Sequence, residues 1–425
     1  MRRTRGSVAI GLAVLATLTT LSGCSSSGGG TPSTDSSDVM LTVSRWAGPQ
    51  ADAQQALLDE YTKETGVKVR MDAIDYGQLK QKQTLNMSTK TGEYDLIYVP
   101  EAWVGEYTEA GYLSDLTDYV TDEALTGADW DYSDFNQSGI DVYTRDGALY
   151  ALPYFVQTPL VVFDKDALDA AGFDEPKTWD DILEVAKYFK EQGTGIALPF
   201  RQGSAIVNIM AVLLAGNETD FFDADGALDL TNPDVVEAVA FIQELSKYGL
   251  EGSNGWHWDE VNKALQFGQA PIGITTSGLF TALENADESN VAGKLGYAPI
   301  PYAKTPAGLL QTWGWAVPAD SKNQEEAFKL GAWLTSKAAQ KEMGTIDPSF
   351  ISFRESLYTD ADLTANAPWL PAVQEALAKG VTVPLQPNAP ALTDALSVGL
   401  SGVVSNGEDP ATMLQGIQDT LASQF

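Results

Sequence analysis

Apolar and polar positions follow two different periods along this chain from residue 39 onward. Three short apolar stretches predict strands: 39–43, 67–73 and 94–99. Two longer stretches between them have apolar residues at helical spacing and predict helices: 51–65 and 76–89. Gly66 stands where the first of these helices is expected to end. Strands that alternate with helices of about 10–15 residues indicate βαβ units, an α/β fold and mostly parallel sheets.

The alternation resumes in the second part of the chain. The strands predicted there are 148–154, 160–163, 196–200 and 271–275. The helices predicted there are 178–192, 204–215, 232–249 and two more that start near 258 and 409. Thr178 and Asp181 have the spacing of a capping box, and Asn232 precedes a proline at the first helical position. This pattern predicts a second α/β region, without internal repeats.

Residues 1–38 have a different pattern. Three arginines precede an apolar run at 8–18, and small residues then lead to Cys24, the only cysteine. This order is typical of a secretory signal peptide, and 21–24 resembles the bacterial lipobox, in which the cysteine is lipidated. Residues 25–38 have nothing apolar to bury and predict a flexible tether. We therefore predict a signal peptide at 1–23, and a lipidated Cys24 with its tether at 24–38. The alternative is an ordinary signal peptide with an incidental cysteine.

Length and charge limit the number of lobes and the classes of binding partner that are expected for this chain. About 400 mature residues exceed what one hydrophobic core usually supports, so two lobes are expected. Loss of three arginines with the signal peptide would leave 23 basic residues against 58 acidic ones, which changes the formal charge from −32 to −35. Such a charge argues against nucleic acid, whose phosphates would be repelled. It also disfavours anionic solutes and acidic lipid surfaces.

Few of the usual catalytic residues are present. His257 is the only histidine, which excludes a His-rich zinc site and leaves little room for a Ser-His-Asp or Cys-His system. Cys24 is assigned to the anchor, so no disulfide is expected within the mature chain. We expect no metal and no cofactor. An enzyme built on this chain would depend on carboxylates, tyrosine or lysine.

Several blocks, taken in order, resemble the extracytoplasmic solute-binding proteins of carbohydrate ABC importers, the group that contains the maltose-binding type. The blocks are 94–100, 107–116, 150–154, 161–165, 177–181, 264–269, 271–275, 314–318 and 327–336. Together they cover nearly the whole mature chain, and their order and spacing are more specific than any single block. Two further segments, 289–299 and 312–315, look most like the polyol and monosaccharide binders.

The resemblance implies a two-lobed periplasmic-binding-protein type II fold, in which each lobe has a mostly parallel sheet flanked by helices. It also implies three crossings between the lobes, which we place near 155–159, 273–277 and 312–315. The N-terminal lobe would then comprise 39–156 and 276–313, and the C-terminal lobe 157–275 and 314–425. Solute would bind in the cleft between the lobes, outside the carboxyl ends of the strands.

A sugar or polyol needs flat aromatic surfaces for its C–H faces and polar side chains for its hydroxyls. Tryptophans at the ends of predicted strands are candidates for the aromatic surfaces. The resemblance adds Glu101 and Trp103, which follow a strand where the family places ligand contacts, and Arg354, at a position that holds the closed cleft. The candidate ligand-binding residues are Arg45, Trp46, Glu101, Trp103, Tyr154, Arg201, Trp256, His257, Ser277, Gly278, Trp313, Trp315 and Arg354.

Each candidate also has a structural interpretation, such as core packing for Trp46, helix capping for Glu101 or a satisfied interior group for His257. The chain departs from the maltose-type binders at two places where those proteins have aromatic residues. Here these places contain Gly278 with Leu279, and the segment 388–391. A small solute is therefore favoured over a long maltodextrin.

The predicted function is the solute-binding component of an ABC transporter, which captures a small sugar or polyol and delivers it to the transmembrane permease subunits. We expect a monomer that is lipid-anchored to the outer face of the bacterial cytoplasmic membrane and has no catalytic activity. The alternatives are a cell-surface glycosidase that uses two carboxylates and a surface adhesin.

Overall fold

The computed structural model describes residues 39–127, 129–386 and 388–425. The predicted signal peptide, Cys24 and the tether lie outside these residues. Two main sheets with helices packed around them organise the described chain into two lobes. Within the described ranges, no helix combines the length and the apolar character that crossing a membrane requires.

The elements are numbered in chain order. The strands are β1 (Met40–Trp46), β2 (Lys68–Ile74), β3 (Leu96–Pro100), β4 (Thr144–Arg145), β5 (Ala148–Leu149), β6 (Leu152–Gln157), β7 (Pro159–Asp164), β8 (Ile272–Thr276), β9 (Leu295–Ala298), β10 (Gly308–Leu309), β11 (Gln311–Ala316) and β12 (Gly380–Val381). The helices of the first half are α1 (Pro49–Thr65), α2 (Tyr76–Thr89), α3 (Glu101–Glu109), α4 (Glu123–Thr126), α5 (Gln137–Val142), α6 (Lys165–Ala171), α7 (Trp179–Glu191) and α8 (Ser204–Gly216). Those of the second half are α9 (Pro233–Ser246), α10 (Trp258–Gln266), α11 (Phe280–Glu284), α12 (Gln324–Leu334), α13 (Lys337–Ile346), α14 (Ala361–Asn366), α15 (Leu370–Leu377), α16 (Ala389–Asn406) and α17 (Pro410–Leu421).

The first lobe is built on the sheet β2-β1-β3-β11-β6. β1 pairs in parallel with β2 and β3, whereas β11 runs antiparallel to β3 and β6. Every residue of β3 is buried, as expected for a central strand covered on both faces. Trp313 of β11 lies opposite Pro100, the last residue of β3. The carboxyl ends of β1 and β3 and the start of β11 therefore meet at one edge of the sheet.

The second lobe is built on the sheet β8-β7-β9. The central strand β7 alternates between two cores: Leu160 and Val162 belong to a buried cluster shared with the first lobe, and Val161 and Phe163 to the core of the second. Both pairings in this sheet are antiparallel. The expectation of a mostly parallel sheet in each lobe is thus corrected, since β7 has an antiparallel neighbour on both sides. The predicted strand 196–200 contributes only isolated parallel bridges, one of which joins Ala197 to Gly273.

The first crossing between the lobes lies within the predicted segment 155–159, whereas the other two differ from their predicted positions. The chain leaves the first sheet at Thr158, between β6 and β7. After β8 it remains in the second lobe, because β9 pairs with the other edge of β7. It returns to the first sheet at β11 and enters the second lobe again after α14, since α15 packs on β9 and β10.

The predicted division of the lobes is corrected accordingly. The segment from 276 to 310, expected in the N-terminal lobe, belongs with the second sheet, and β11 to α14, mostly expected in the C-terminal lobe, pack with the first. The described chain has no crossing at 273–277. The physical reason is that the partner of an edge strand is chosen by pairing between segments distant in sequence, which the local apolar pattern does not contain.

Helix boundaries, which depend on nearby residues, were predicted more accurately than strand partners, which are distant in sequence. Helix α2 spans the predicted residues 76–89. At the start of α7, Thr178 Oγ1 accepts from Asp181 N at 3.2 Å and Asp181 Oδ2 accepts from Thr178 N at 2.8 Å, which completes the predicted capping box. The Asn232 side chain caps α9 by accepting from Asp234 N at 3.0 Å. These caps fix the residue at which each helix begins.

Candidate functional site

Five aromatic side chains gather where β1, β3, β6 and β11 meet, and we call them the aromatic wall: Trp46, Tyr76, Trp103, Phe155 and Trp313. Trp46 and Trp313 stack with their ring centroids 5.3 Å apart and their planes 20° apart. Tyr76 lies 5.7 Å from Trp46 and stacks at 6.0 Å on Trp103. Phe155 supports Trp313 from a distance of 5.4 Å. The three tryptophans are half-buried and Tyr76 is exposed, so the wall offers aromatic surface to a bound molecule.

The wall follows from the topology of the first sheet. Trp46 ends β1, and Tyr76 and Trp103 lie in the first turns of the helices that follow β2 and β3. Carboxyl ends of neighbouring parallel strands lie at the same edge of a sheet, which brings these three side chains together. Trp313 joins them because β11 runs antiparallel beside β3.

Glu101 is the carboxylate next to the aromatic wall. It opens α3 and is 9% exposed. Its Oε2 accepts from Thr312 N at 2.8 Å and from Thr312 Oγ1 at 3.3 Å, and Thr312 Oγ1 lies 2.9 Å from Tyr143 OH. Burial raises the pKa of Glu101 to about 7, although the hydrogen bonds from Thr312 act in the opposite direction. Near neutral pH this group can therefore either accept or donate a hydrogen bond.

Ser277 and Gly278 lie at the first crossing rather than on an open surface. Ser277 Oγ accepts from Thr158 N at 3.1 Å, and Ser277 N donates to Thr158 O at 3.0 Å. A Cβ on Gly278 would lie 2.4 Å from Gln157 Nε2. The Ser277 hydroxyl is thus engaged with the crossing strand, and the missing side chain of Gly278 leaves space for Gln157.

Arg201, Trp256 and His257 form a separate polar group in the second lobe. Arg201 N donates to Trp256 O at 2.9 Å, and the exposed Arg201 guanidinium lies 3.4 Å from Glu260 Oε1. Glu260 Oε2 accepts from His257 N at 2.8 Å at the start of α10. Burial and the Arg201 guanidinium lower the pKa of His257, so its ring is neutral at pH 7. No hydrogen bond or ring contact among the described residues joins this group to the aromatic wall.

Arg45, Tyr154 and Trp315 were predicted to contact solute, and the structure places them in the interior of the first lobe. Each is at most 1% exposed. The Arg45 guanidinium lies over the ring of Tyr98, Tyr154 OH donates to Gln54 Oε1 at 2.6 Å, and Trp315 packs 4.7 Å from Tyr98. These side chains have no accessible face, so they are corrected to interior residues.

Arg354 is also fully buried and links three segments of the first lobe. Its guanidinium donates to Trp130 O at 2.6 Å, to Asp131 O at 3.1 Å and to Thr335 O at 2.6 Å, and it pairs with Asp134 at 3.3 Å. With these bonds made, Arg354 fastens the loop at 130–134 to the end of α12. Its predicted contact with a closed cleft is corrected to this structural role.

Two members of the aromatic wall were missed in the sequence. Tyr76 follows β2 in the same way that Trp103 follows β3, so the rule that selected Trp103 would also have selected Tyr76. Phe155 is buried within β6, and no local signal separates it from a core residue. Among the described residues, no three His, Cys, Asp or Glu side chains are grouped as metal ligands.

The described fold and site can be compared with known proteins. The family described as bacterial extracellular solute-binding protein matches residues 47–341. A probable amino-acid ABC transporter periplasmic-binding protein of Sinorhizobium fredii is 29% identical over 334 residues, which are 77% of this chain and 75% of the relative. A mannitol-binding protein of Pseudomonas aeruginosa is 25% identical over 352 residues, 79% of this chain and 76% of the relative.

A solved structure shows the same architecture. An ABC transporter solute-binding protein from Agrobacterium radiobacter K84, in complex with ribitol, has a TM-score of 0.74 and 26% sequence identity. The likeness covers 91% of this chain and 99% of that one.

Proposed function

This chain belongs to the bacterial extracellular solute-binding proteins, and from that premise we propose that it captures a small sugar or polyol for an ABC importer. The observation that carries the proposal is the aromatic wall beside Glu101. It combines flat apolar surface with a carboxyl group, the pair of features that a polyhydroxylated solute requires. A relative named as a mannitol-binding protein and a similar solved structure in complex with ribitol support this class of solute.

The proposed mechanism is capture between the lobes. One C–H face of the solute would lie on Trp46 and Trp313, with Glu101 paired to hydroxyls at its edge. Arg201, Trp256 and His257 would complete the site from the second lobe, because neutral imidazole and guanidinium both offer hydrogen-bond donors to hydroxyls. A solute that contacts both lobes stabilises the closed arrangement relative to the open one.

Amino acids are the competing solute class, because one relative is named as a probable amino-acid binder. An amino acid would need one partner for its ammonium group and one for its carboxylate. Arg201 and the ionised form of Glu101 would supply those charges, but the aromatic wall offers more apolar surface than the ammonium and carboxylate groups of an amino acid would contact. Neutral polyols therefore fit the wall better.

A thermal-shift screen tests the proposal. The panel contains ribitol, D-mannitol, monosaccharides, maltodextrins and the common amino acids. At about 100 times its Kd, the true solute should raise the midpoint of unfolding by roughly 3 °C or more. Recovery of the solute unchanged after overnight incubation is expected, since we propose binding without turnover. Shifts with amino acids only, or a hydrolysed sugar, would reject the proposal in favour of the corresponding alternative.

We further propose that the protein acts outside the cytoplasm, anchored through lipid on Cys24 and delivering solute to the permease as a monomer. The sequence order of arginines, apolar run and sole cysteine motivates this anchor. More than one acyl chain is needed for firm anchoring, as in other lipid-tethered proteins.

Cys24→Ala tests the anchor. The variant should move to the soluble or secreted fraction, or accumulate as unprocessed precursor, as judged by membrane fractionation and mass spectrometry. Full membrane retention with normal cleavage would refute lipidation at Cys24.

A further inference from the structure

Among the described residues, Arg45 is a buried cation without a carboxylate partner. It is 1% exposed, and its guanidinium lies 4.9 Å from the ring centroid of Tyr98. Nε donates to Trp46 O at 3.3 Å, and Nη1 donates to Gln50 O at 3.2 Å and to Gln54 Oε1 at 3.4 Å. Nη2 has no partner in the described chain, and no salt bridge found there includes Arg45. An unpaired charge in the interior is strongly destabilising.

A second unsatisfied donor belongs to Gln54, whose side-chain oxygen accepts from Arg45 Nη1. Gln54 is fully buried, and its Oε1 accepts from both Tyr154 OH at 2.6 Å and Arg45 Nη1. Arg45 Nη1 fixes the orientation of the amide, because a guanidinium can only donate and the reverse orientation would set the NH2 group of Gln54 against it. Gln54 Nε2 is then left without a described partner, on an amide that already touches the guanidinium. Two unsatisfied donors thus belong to groups in direct contact.

The described side chains around Arg45 supply further donors, and the carboxylate of Asp347, whose charge acts on Tyr154, makes no salt bridge with Arg45. Trp315 Nε1 and Tyr98 OH, which belong to neighbouring rings, are also buried without described partners. Burial raises the pKa of Tyr98 well above its usual value and also raises that of Tyr154, so neither phenol is ionised at neutral pH. Arg354, which is also fully buried, pairs with Asp134 and three carbonyl groups. Arg45, by contrast, forms none of the salt bridges found among the described residues.

We propose that Arg45 and Gln54 hold a small monovalent anion of halide size inside the first lobe. The anion would accept from Arg45 Nη2 and Gln54 Nε2 and would neutralise the guanidinium. The burial of Arg45, Gln54, Tyr98 and Trp315 excludes a larger organic anion from the same place. Because Arg45 also donates to Trp46 O, the anion would fix the backbone that carries one member of the aromatic wall.

Thermal unfolding of the full mature protein in bromide tests the proposal. Sodium bromide is raised from 5 to 500 mM against sodium isethionate, whose anion is too large for the site, so that ionic strength stays constant. The midpoint of unfolding should rise by roughly 2–4 °C across this range. Crystals grown in bromide should show an anomalous peak within hydrogen-bonding distance of Arg45 Nη2 and Gln54 Nε2.

Gln54→Glu distinguishes this site from a general salt effect. The new carboxylate would pair with Arg45, so the bromide-dependent shift should disappear and the anomalous peak should be lost. Gln81→Glu makes the same charge change at an exposed position on α2 and should keep both. No bromide-dependent shift in the wild type, a shift that persists in Gln54→Glu, or a water without anomalous signal at Arg45 would each overturn the proposal. If Gln54→Glu does not fold, the wild-type titration and the anomalous peak decide the question.

Discussion

Trp313 and Trp315 lie two positions apart on β11 and have different surroundings. Trp313 is half-buried and stacks on Trp46 at the rim of the sheet, whereas Trp315 is fully buried against Tyr98 and Tyr154. A ring at the rim can offer one face to a solute, while an interior ring can only support the fold. The two tryptophans should therefore separate solute binding from stability.

Trp313→Ala should weaken binding of the solute by about 2–4 kcal/mol, the range for a large buried anchor. Titration calorimetry with the solute found in the thermal-shift screen measures this loss. Trp333→Ala is the matched control, because Trp333 lies on α12 with its Nε1 bonded to Glu64 at 2.9 Å, outside the aromatic wall. Its effect on binding should stay below about 1 kcal/mol. Equal losses in both variants, or no loss in Trp313→Ala, would remove Trp313 from the site.

Glu101 should make stability depend on pH. The pKa of Glu101 is raised to about 7 in the folded protein. At pH values between the ordinary pKa of a glutamate and 7, the folded state therefore holds a proton that the unfolded state has lost. The contribution of this group to stability is therefore largest at low pH and falls as pH rises through 7. Relative to Glu101→Gln, the wild type should lose roughly 2–3 kcal/mol between pH 4.5 and pH 8, as measured by urea unfolding. A constant difference between the two proteins across this range would contradict the raised pKa.

The sequence predicts which residues lie at strand ends, but it does not predict how deeply each side chain is buried. Trp46, Trp103 and Trp313 could be selected because each follows or begins a strand. The same reasoning also selected Arg45, Tyr154 and Trp315, which lie in the interior. Depth depends on which helix covers each face of the sheet, and that information lies in tertiary packing.

β11 is the element that joins the aromatic wall to the fold. It pairs with β3 and β6, carries Trp313 and Trp315, and contributes Thr312 to Glu101. Between these residues stands Gly314, where a Cβ would lie 2.8 Å from Leu152 O and 2.9 Å from the Tyr143 ring. The absence of a side chain at this position allows β6 and Tyr143 to approach β11.

Gly314→Ala should destabilise the protein by about 1–3 kcal/mol, because the added methyl group meets backbone that cannot move without breaking the ladder. Chemical unfolding monitored by circular dichroism measures the change. Gly105→Ala in α3 is the control, since no heavy atom would lie within 4 Å of its Cβ. That variant should be neutral or up to about 1 kcal/mol more stable. A neutral Gly314→Ala would show that β6 and β11 are less tightly apposed than described.

The boundaries of helices that have capping residues in the sequence could be predicted, as the bounds of α2 and the capping box of α7 show. The order of strands in the sheets was not. β9 joined the lobe opposite to the one predicted, and the predicted lobe boundary between residues 313 and 314 falls inside β11, because strand partners are set by pairing between segments that are distant in sequence.

At the scale of the whole molecule, the two lobes are joined by β6–β7, by the return into β11 and by the segment between α14 and α15. The first of these connections is tied by the reciprocal hydrogen bonds of Thr158 and Ser277. One buried apolar cluster belongs to the second lobe, and the other combines the first lobe with residues of the second. We propose that the lobes rotate about these few connecting residues when solute binds.

Small-angle X-ray scattering with and without solute tests capture between the lobes most directly. A solute bound at micromolar Kd has about −8 kcal/mol available, part of which must favour the closed arrangement. The mature protein saturated with the sugar or polyol found in the thermal-shift screen should have a smaller radius of gyration than the free protein, and Trp313→Ala at the same solute concentration should not. An unchanged radius of gyration in the wild type, with saturation confirmed by calorimetry, would contradict capture by closure.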